Sequence, residues 1–176
     1  MRPFWKKKIE APSAVETALI GIIETHQAQL YRIAFSYVRS EQDALEVVQE
    51  AVYKAIVSQS QIKDISILKT WLIRIVINCA IDMSKKNSKW TVLDETALTK
   101  QHDEGAAYSE EKLDLQEALG KLEEPEKSLI QLRFFEDLPL NEIAVIMQLP
   151  LSTVKSQLYR SLKRLKVELE GVDEYE

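Results

Sequence analysis

Ser152, Thr153, Lys155, Ser156, Tyr159, Arg160 and Lys163 carry the clearest chemistry in this 176-residue chain. Their spacing puts hydroxyl, ammonium and guanidinium groups on the outward side of one helix. A helix so furnished fits the major groove of DNA, where such groups reach phosphates and base edges. Val154 and Leu158 face the other way and pin the same helix to a core. Immediately upstream, Pro139 opens a short helix over 141–147, Gln148-Leu149-Pro150-Leu151 forms a turn, and Ser152 caps the long helix. Ala144 is small where the two helices must approach each other. Short helix, turn and longer basic helix make the outline of a helix-turn-helix.

Composition narrows what surrounds that motif. Four glycines and five prolines are too few for the turn-dense punctuation of a sandwich or barrel, and an apolar share of 45% supports a buried core. An all-α protein is expected. A lone cysteine, Cys79, excludes an internal disulfide and a cysteine-built zinc site, and His26 and His102 leave little for a histidine-ligated metal. Without a Gly-rich phosphate loop, a Ser/His/Asp set or a recognisable paired-carboxylate site, neither an enzyme nor a cofactor is expected. No run of eighteen apolar residues is present, and the basic start Met1-Arg2-Pro3-Phe4-Trp5-Lys6-Lys7-Lys8 lacks the apolar stretch of a signal peptide after it. A cytoplasmic protein with reduced Cys79 is expected.

The net charge of −5 argues against nucleic acid until its distribution is read. Residues 69–90 carry five basic side chains against Asp82, a net of +4, and residues 151–168 carry five against Glu168, again +4. Between them, 94–126 carries eleven acids against three lysines, a net of −8. Two basic units joined by acid suggest two contacts on one polyanion.

Hydrophobic periodicity supplies the supporting elements. A long amphipathic helix is predicted over 15–38. Ser40 with Asp43 three residues on reads as a capping box opening a second helix. This helix is expected to bury Leu45, Val48, Val52, Ala55 and Ile56 and to show Glu46, Gln49, Glu50, Tyr53 and Lys54 to solvent. A loop over 58–66 leads to a third helix at 68–86, where Trp71 fits the apolar period. These features divide the chain into a basic tail (1–14), a first helical domain (15–87), an acidic flexible linker (88–111), a helix-turn-helix domain (112–170) and an acidic tail (171–176). A structureless stretch as long as 88–111 marks a domain boundary.

Three segments together resemble the extracytoplasmic-function sigma factors of bacterial RNA polymerase. Residues 43–55, DALEVVQEAVYKA, resemble that family's polymerase-binding helix, and 70–82, TWLIRIVINCAID, its helix that melts and reads the −10 promoter element. Glu142-Ile143-Ala144 with Thr153-Val154-Lys155-Ser156 and Leu158-Tyr159-Arg160 resembles its −35 reader. The resemblance spans about residues 25–168. It implies that Asp43, Glu46, Gln49 and Glu50 face the clamp coiled coil of the polymerase large subunit, where carboxylates suit an Arg-bearing partner. It implies that Arg74, Asn78, Lys85 and Lys86 lie near the −10 strand, with an extruded base held by polar side chains and the loop before Trp71. The seven outward residues at 152–163 then meet the −35 duplex. An anti-sigma protein, often membrane-anchored and removed by an envelope or stress signal, is a further implied partner; no small-molecule substrate is. The turn departs from the family pattern in lacking the usual glycine, and Gln157 stands where a basic residue is common. Two other readings remain open: a stand-alone helix-turn-helix regulator that dimerises on DNA, and a helical adaptor for proteins.

The linker charge generates a prediction. Acids at 94–111 should repel free DNA, so replacing them by amides should tighten binding of the free chain to duplex DNA in a fluorescence-anisotropy titration. Unchanged affinity would contradict that role.

Overall fold

The computed structural model describes the backbone of residues 13–93 and 118–170, and the side chains of 13–87 and 118–169. The described residues are overwhelmingly helical, with no strand among them. Helix α1 (Ala14–Val38) begins where the Ser13 hydroxyl accepts the Glu16 N–H at 3.1 Å. It ends at Arg39, a left-handed residue (φ 56°) whose N–H donates to the Phe35 carbonyl. Helix α2 (Glu41–Ser58) is capped as expected by Ser40, whose hydroxyl accepts the Asp43 N–H at 3.3 Å. The predicted loop contains two 3-10 turns, Gln59–Gln61 and Ile65–Ile67; in the second, Asp64 Oδ1 accepts the Ser66 N–H at 2.9 Å. Helix α3 spans Leu68–Leu93, so the backbone of 88–93, expected as linker, continues the helix. No glycine or proline interrupts that segment to stop it.

Helices α1, α2 and α3 pack on one another around Leu19, Leu30, Ile33, Leu72, Ile73 and Val76, all buried. The expected inner face of α2 is displaced. Ala44, Val47, Ala51 and Ala55 are fully buried, Val48 and Val52 are half-buried, and Leu45 (54% exposed) and Ile56 (44%) point outward. Alanine and valine let the α2 backbone approach its neighbours closely, a fit that leucine at the same positions would overfill.

The second domain comprises helical residues 118–120, α4 (Glu126–Ile130) winding on into a π-helical turn at Gln131–Phe135, α5 (Leu140–Met147) and α6 (Leu151–Glu170). The rest of the expected linker, the first residues of the expected second domain (112–117) and both tails except Ser13 and Ala14 fall outside the described residues. Helix α6 starts two residues earlier than expected. The Val154 N–H donates to the Pro150 carbonyl at 3.0 Å, so Ser152 lies within the first turn rather than capping it. Val154, Ser161 and Leu165 are buried, whereas Leu162, although its spacing from Val154 and Leu158 places it on the same face, stands at the rim of an apolar groove.

The missing glycine of the turn is replaced by backbone geometry. Gln148 adopts φ 56°, ψ 40°, and donates its N–H to the Val145 carbonyl at 3.3 Å, while Leu149 donates to Ala144 at 3.0 Å. This is the Schellman arrangement, with glutamine in the left-handed position glycine usually takes. The small Ala144 sits beneath the turn, and Leu149 packs on the core.

The two domains do not stand apart. Buried residues of α1–α3 and Leu129, Leu132, Leu138, Ile143, Ile146 and Val154 form one continuous cluster, with α5 packed on α3 and the π turn on α1. The linker charge pattern carried no sign of this seam, because it is made by contacts between residues far apart in the chain.

The left-handed glutamine generates a prediction. A side chain in that conformation costs roughly 1–2 kcal/mol relative to the right-handed region. Gln148→Gly should therefore raise the stability of the second domain by about 1 kcal/mol after the added freedom of the unfolded glycine is counted. Thermal denaturation followed by circular dichroism would show a higher Tm; a lower Tm would contradict the turn geometry.

Candidate nucleic-acid and partner interfaces

The outward stripe of α6 is displayed as the spacing predicts. Ser152, Lys155, Ser156, Tyr159, Arg160 and Lys163 are exposed and Thr153 is half-buried; the Tyr159 ring is 76% exposed. Burying an aromatic ring is favourable, so a tyrosine left this bare on a rigid helix is available to a partner surface. The Ser156 hydroxyl donates to the Thr153 carbonyl at 3.0 Å and Arg160 Nε to the Ser156 carbonyl at 3.4 Å, so both side chains lie along the helix. The helix is anchored at its far end by Arg164 to Glu126 and by Lys121 to Glu168, both at 2.7 Å.

On the first domain, Glu46, Gln49 and Glu50 line the exposed side of α2 together with Tyr53, as expected, and the unexpected Leu45. Glu50 pairs with Lys54 at 2.7 Å. This contact holds the Lys54 ammonium above its usual pKa, and Lys54 also lies 3.5 Å from the Cys79 sulfur. Burial pushes the Cys79 thiol up, against the opposing pull of Lys54. Asp43, expected on the same face, is more enclosed than the other three. It is half-buried, and its Oδ2 accepts from Asn87 of α3 at 3.0 Å, so one carboxylate oxygen ties α2 to α3.

Between α2 and α3 runs a cleft of about 460 Å³, walled by Tyr53, Lys54, Gln61, Trp71, Ile75 and Asn78 among others. Trp71 is thus only half-buried and forms one wall, rather than belonging wholly to the core as its apolar spacing suggested. Trp71, Ile75 and Asn78 share one stripe of α3, being four and seven residues apart. An aromatic wall beside amide groups can hold a planar base by stacking and hydrogen bonding. Arg74 is half-buried on the flank of α3 and is not part of the cleft lining. Lys85 and Lys86 are exposed two turns beyond Asn78. The structure therefore brings Asn78 into the cleft and spreads the three cations along the helix. Tyr53, Lys54 and Trp71 were missed as site residues; the signal was the seven-residue spacing of Trp71 and Asn78.

Comparison with known proteins gives this arrangement a class. The sigma-70 region 2 pattern matches residues 22–90, and the sigma-70 region 4 pattern matches 112–165. Together they define a two-domain sigma factor. RNA polymerase sigma factor SigV of Bacillus subtilis is 39% identical over 88% of this chain and 93% of its own length. The ECF RNA polymerase sigma factor SigW of the same species is 26% identical over 93% and 96%. Among solved structures, the sigma factor RpoE of Bartonella quintana, in complex with the anti-sigma factor NepR, superposes with a TM-score of 0.63 at 24% identity, covering 89% of this chain and 96% of that one. CnrH, in complex with the cytosolic domain of CnrY, gives 0.65 at 20% identity, with 89% and 95% covered. The chain belongs to the extracytoplasmic-function group of sigma-70 RNA polymerase sigma factors.

Proposed function

We propose that the chain is a promoter-specificity subunit, without chemistry of its own, that acts in the cytoplasm on bacterial core RNA polymerase and promoter DNA. The observation that carries this reading is the exposed stripe at 152–163, a hydroxyl, aromatic and basic surface on a helix anchored by Val154 and Leu165. In the −35 major groove, Lys155, Arg160 and Lys163 supply phosphate contacts, while Ser152, Thr153, Ser156 and Tyr159 reach toward base edges or sugar. In the first domain, Glu46, Gln49 and Glu50 meet the clamp coiled coil of the large subunit, with Leu45 and Tyr53 adding apolar contact. Asp43 supports that surface through Asn87.

The cleft beside Trp71 receives an unstacked −10 base. Unstacking costs a few kcal/mol, offset by stacking on the tryptophan and by polar contacts from Asn78 and Gln61. Arg74, Lys85 and Lys86 then track the single-strand backbone. Neither DNA contact need be tight alone, because holding both domains on polymerase raises their effective concentration over adjacent elements. The Bartonella quintana neighbour solved with an anti-sigma factor supports an anti-sigma partner here too, and an envelope or stress signal would release it.

Three variants test the assignment. Arg160→Ala should lower transcription from a −35-dependent promoter about tenfold, as loss of one good groove contact implies, while association with core polymerase is unchanged. Glu50→Lys should do the reverse in its first effect, weakening co-elution with core polymerase; retained binding would remove Glu50 from that face. Trp71→Ala should reduce open-complex formation on closed duplex about tenfold, from the loss of one base stack. A template already unpaired at −10 should recover most of that loss; an equal defect on both templates would make Trp71 structural.

A further inference from the structure

Lys54 lines the cleft between α2 and α3, yet stacking on Trp71 and the amides of Asn78 and Gln61 leave it without a task. Its ammonium is held from two sides. Glu50 Oε1, one turn earlier on α2, lies 2.7 Å from Nζ, and on α3 Cys79 Sγ accepts from Nζ at 3.5 Å. Burial keeps the Cys79 thiol protonated, so its sulfur is a neutral, weak acceptor. An ammonium has three N–H donors, and these contacts occupy two. Among the described residues the third has no acceptor. Lys54 is the charged member of the cleft lining, and it can only donate, whereas Asn78 and Gln61 each offer a donor and an acceptor. The Ser58 hydroxyl is spent on the Lys54 carbonyl, to which it donates at 2.5 Å.

We infer that Lys54 is a specificity-determining residue of the cleft, which selects an unstacked base carrying a ring carbonyl and rejects adenine. The inference rests on the promoter reading above. An amide can turn to suit either a donor or an acceptor on a base edge; an ammonium cannot. Cytosine, thymine and guanine each carry a ring carbonyl that accepts from it. Adenine carries none and presents an amino group on the edge that a flipped base shows to its pocket, which sets donor against donor. A backbone phosphate is the other partner open to a cation here, and Glu50 argues against it. A carboxylate 2.7 Å from Nζ repels a phosphate that approaches the ammonium, but does not repel a neutral carbonyl oxygen. The strand backbone falls instead to Arg74, Lys85 and Lys86 along α3. Glu50 and Cys79, gripping Nζ from both helices, act as positioning residues that fix where the third donor sits.

The test presents the full chain, bound to core polymerase, with promoter DNA whose −10 segment is unpaired and randomised, and sequences the molecules retained. At one position, bases with a ring carbonyl should be retained about tenfold over adenine. Lys54→Met keeps the aliphatic stem and removes the donors, and should flatten that position while leaving the others as they are. Lys54→Gln, whose amide pairs well with adenine, should raise adenine retention at the same position, and Lys54→Arg should keep adenine out. Each ratio is taken within one library, so it does not depend on how much complex a variant forms. Salt dependence separates base from phosphate. Loss of a phosphate contact weakens all sequences alike and lowers the slope of log affinity against log salt by about 1, whereas loss of a base contact relaxes one position. A flattened position with an unchanged slope is the expected result for Lys54→Met. Uniform weakening with a lower slope, a wild-type preference that nowhere excludes adenine, or an exclusion that both Lys54→Met and Lys54→Gln leave intact would overturn the inference. A complex that retains no −10 sequence over random DNA would contradict the promoter reading instead.

Discussion

Close approach of α2 to α1 and α3 depends on small side chains, and the surfaces of the first domain follow from it. Ala44, Val47, Ala51 and Ala55 fill the inner face completely. With that face occupied, Leu45, Glu46, Gln49, Glu50 and Tyr53 have nowhere to go but outward, which creates a surface both acidic and apolar. The same approach lets Asn87 reach Asp43 and sets Tyr53 opposite Trp71 across a cleft. A larger residue at position 51 would separate the helices and alter the exposed side of α2 and the cleft together.

The second domain meets the same constraint with a different device. Its long helix α6 packs on the short α5 before it, and the turn between them is closed by a glutamine in the left-handed region. Val154 and Ser161 are fully buried on the inner side of α6, so the opposite stripe faces solvent by geometry alone. Ser161 satisfies its hydroxyl within the helix, donating to the Gln157 carbonyl at 2.9 Å, which lets a polar residue occupy that inner position.

Local patterns were legible and long-range ones were not. The α6 stripe could be read because its signal lies within three turns of one helix, and Ser40 could be read as a cap because capping involves neighbours. The inner face of α2 was misplaced because ranking by hydrophobicity prefers Leu45 and Ile56 to Ala44 and Ala51, whereas close packing prefers the reverse. Trp71 was assigned to the core because periodicity does not distinguish a core wall from a cleft wall. The seam left no trace in the sequence: its hydrogen-bonded pairs Tyr37–Ser128 and Arg32–Glu136 are 91 and 104 positions apart. Acid in the linker suggested two separate units, yet charge in a connecting segment says nothing about the apolar faces on either side of it.

Two surfaces on one chain thus direct polymerase to a pair of DNA elements. The most direct test is to mix the purified chain with sigma-free bacterial core polymerase, isolate the co-eluting complex, and sequence the 5′ ends of transcripts it makes on genomic DNA. A stable complex whose start sites share one −35 and −10 pair at fixed spacing is the predicted result. Absence of a complex, with the chain alone binding a palindromic DNA site as a dimer, would contradict the account and favour a stand-alone regulator.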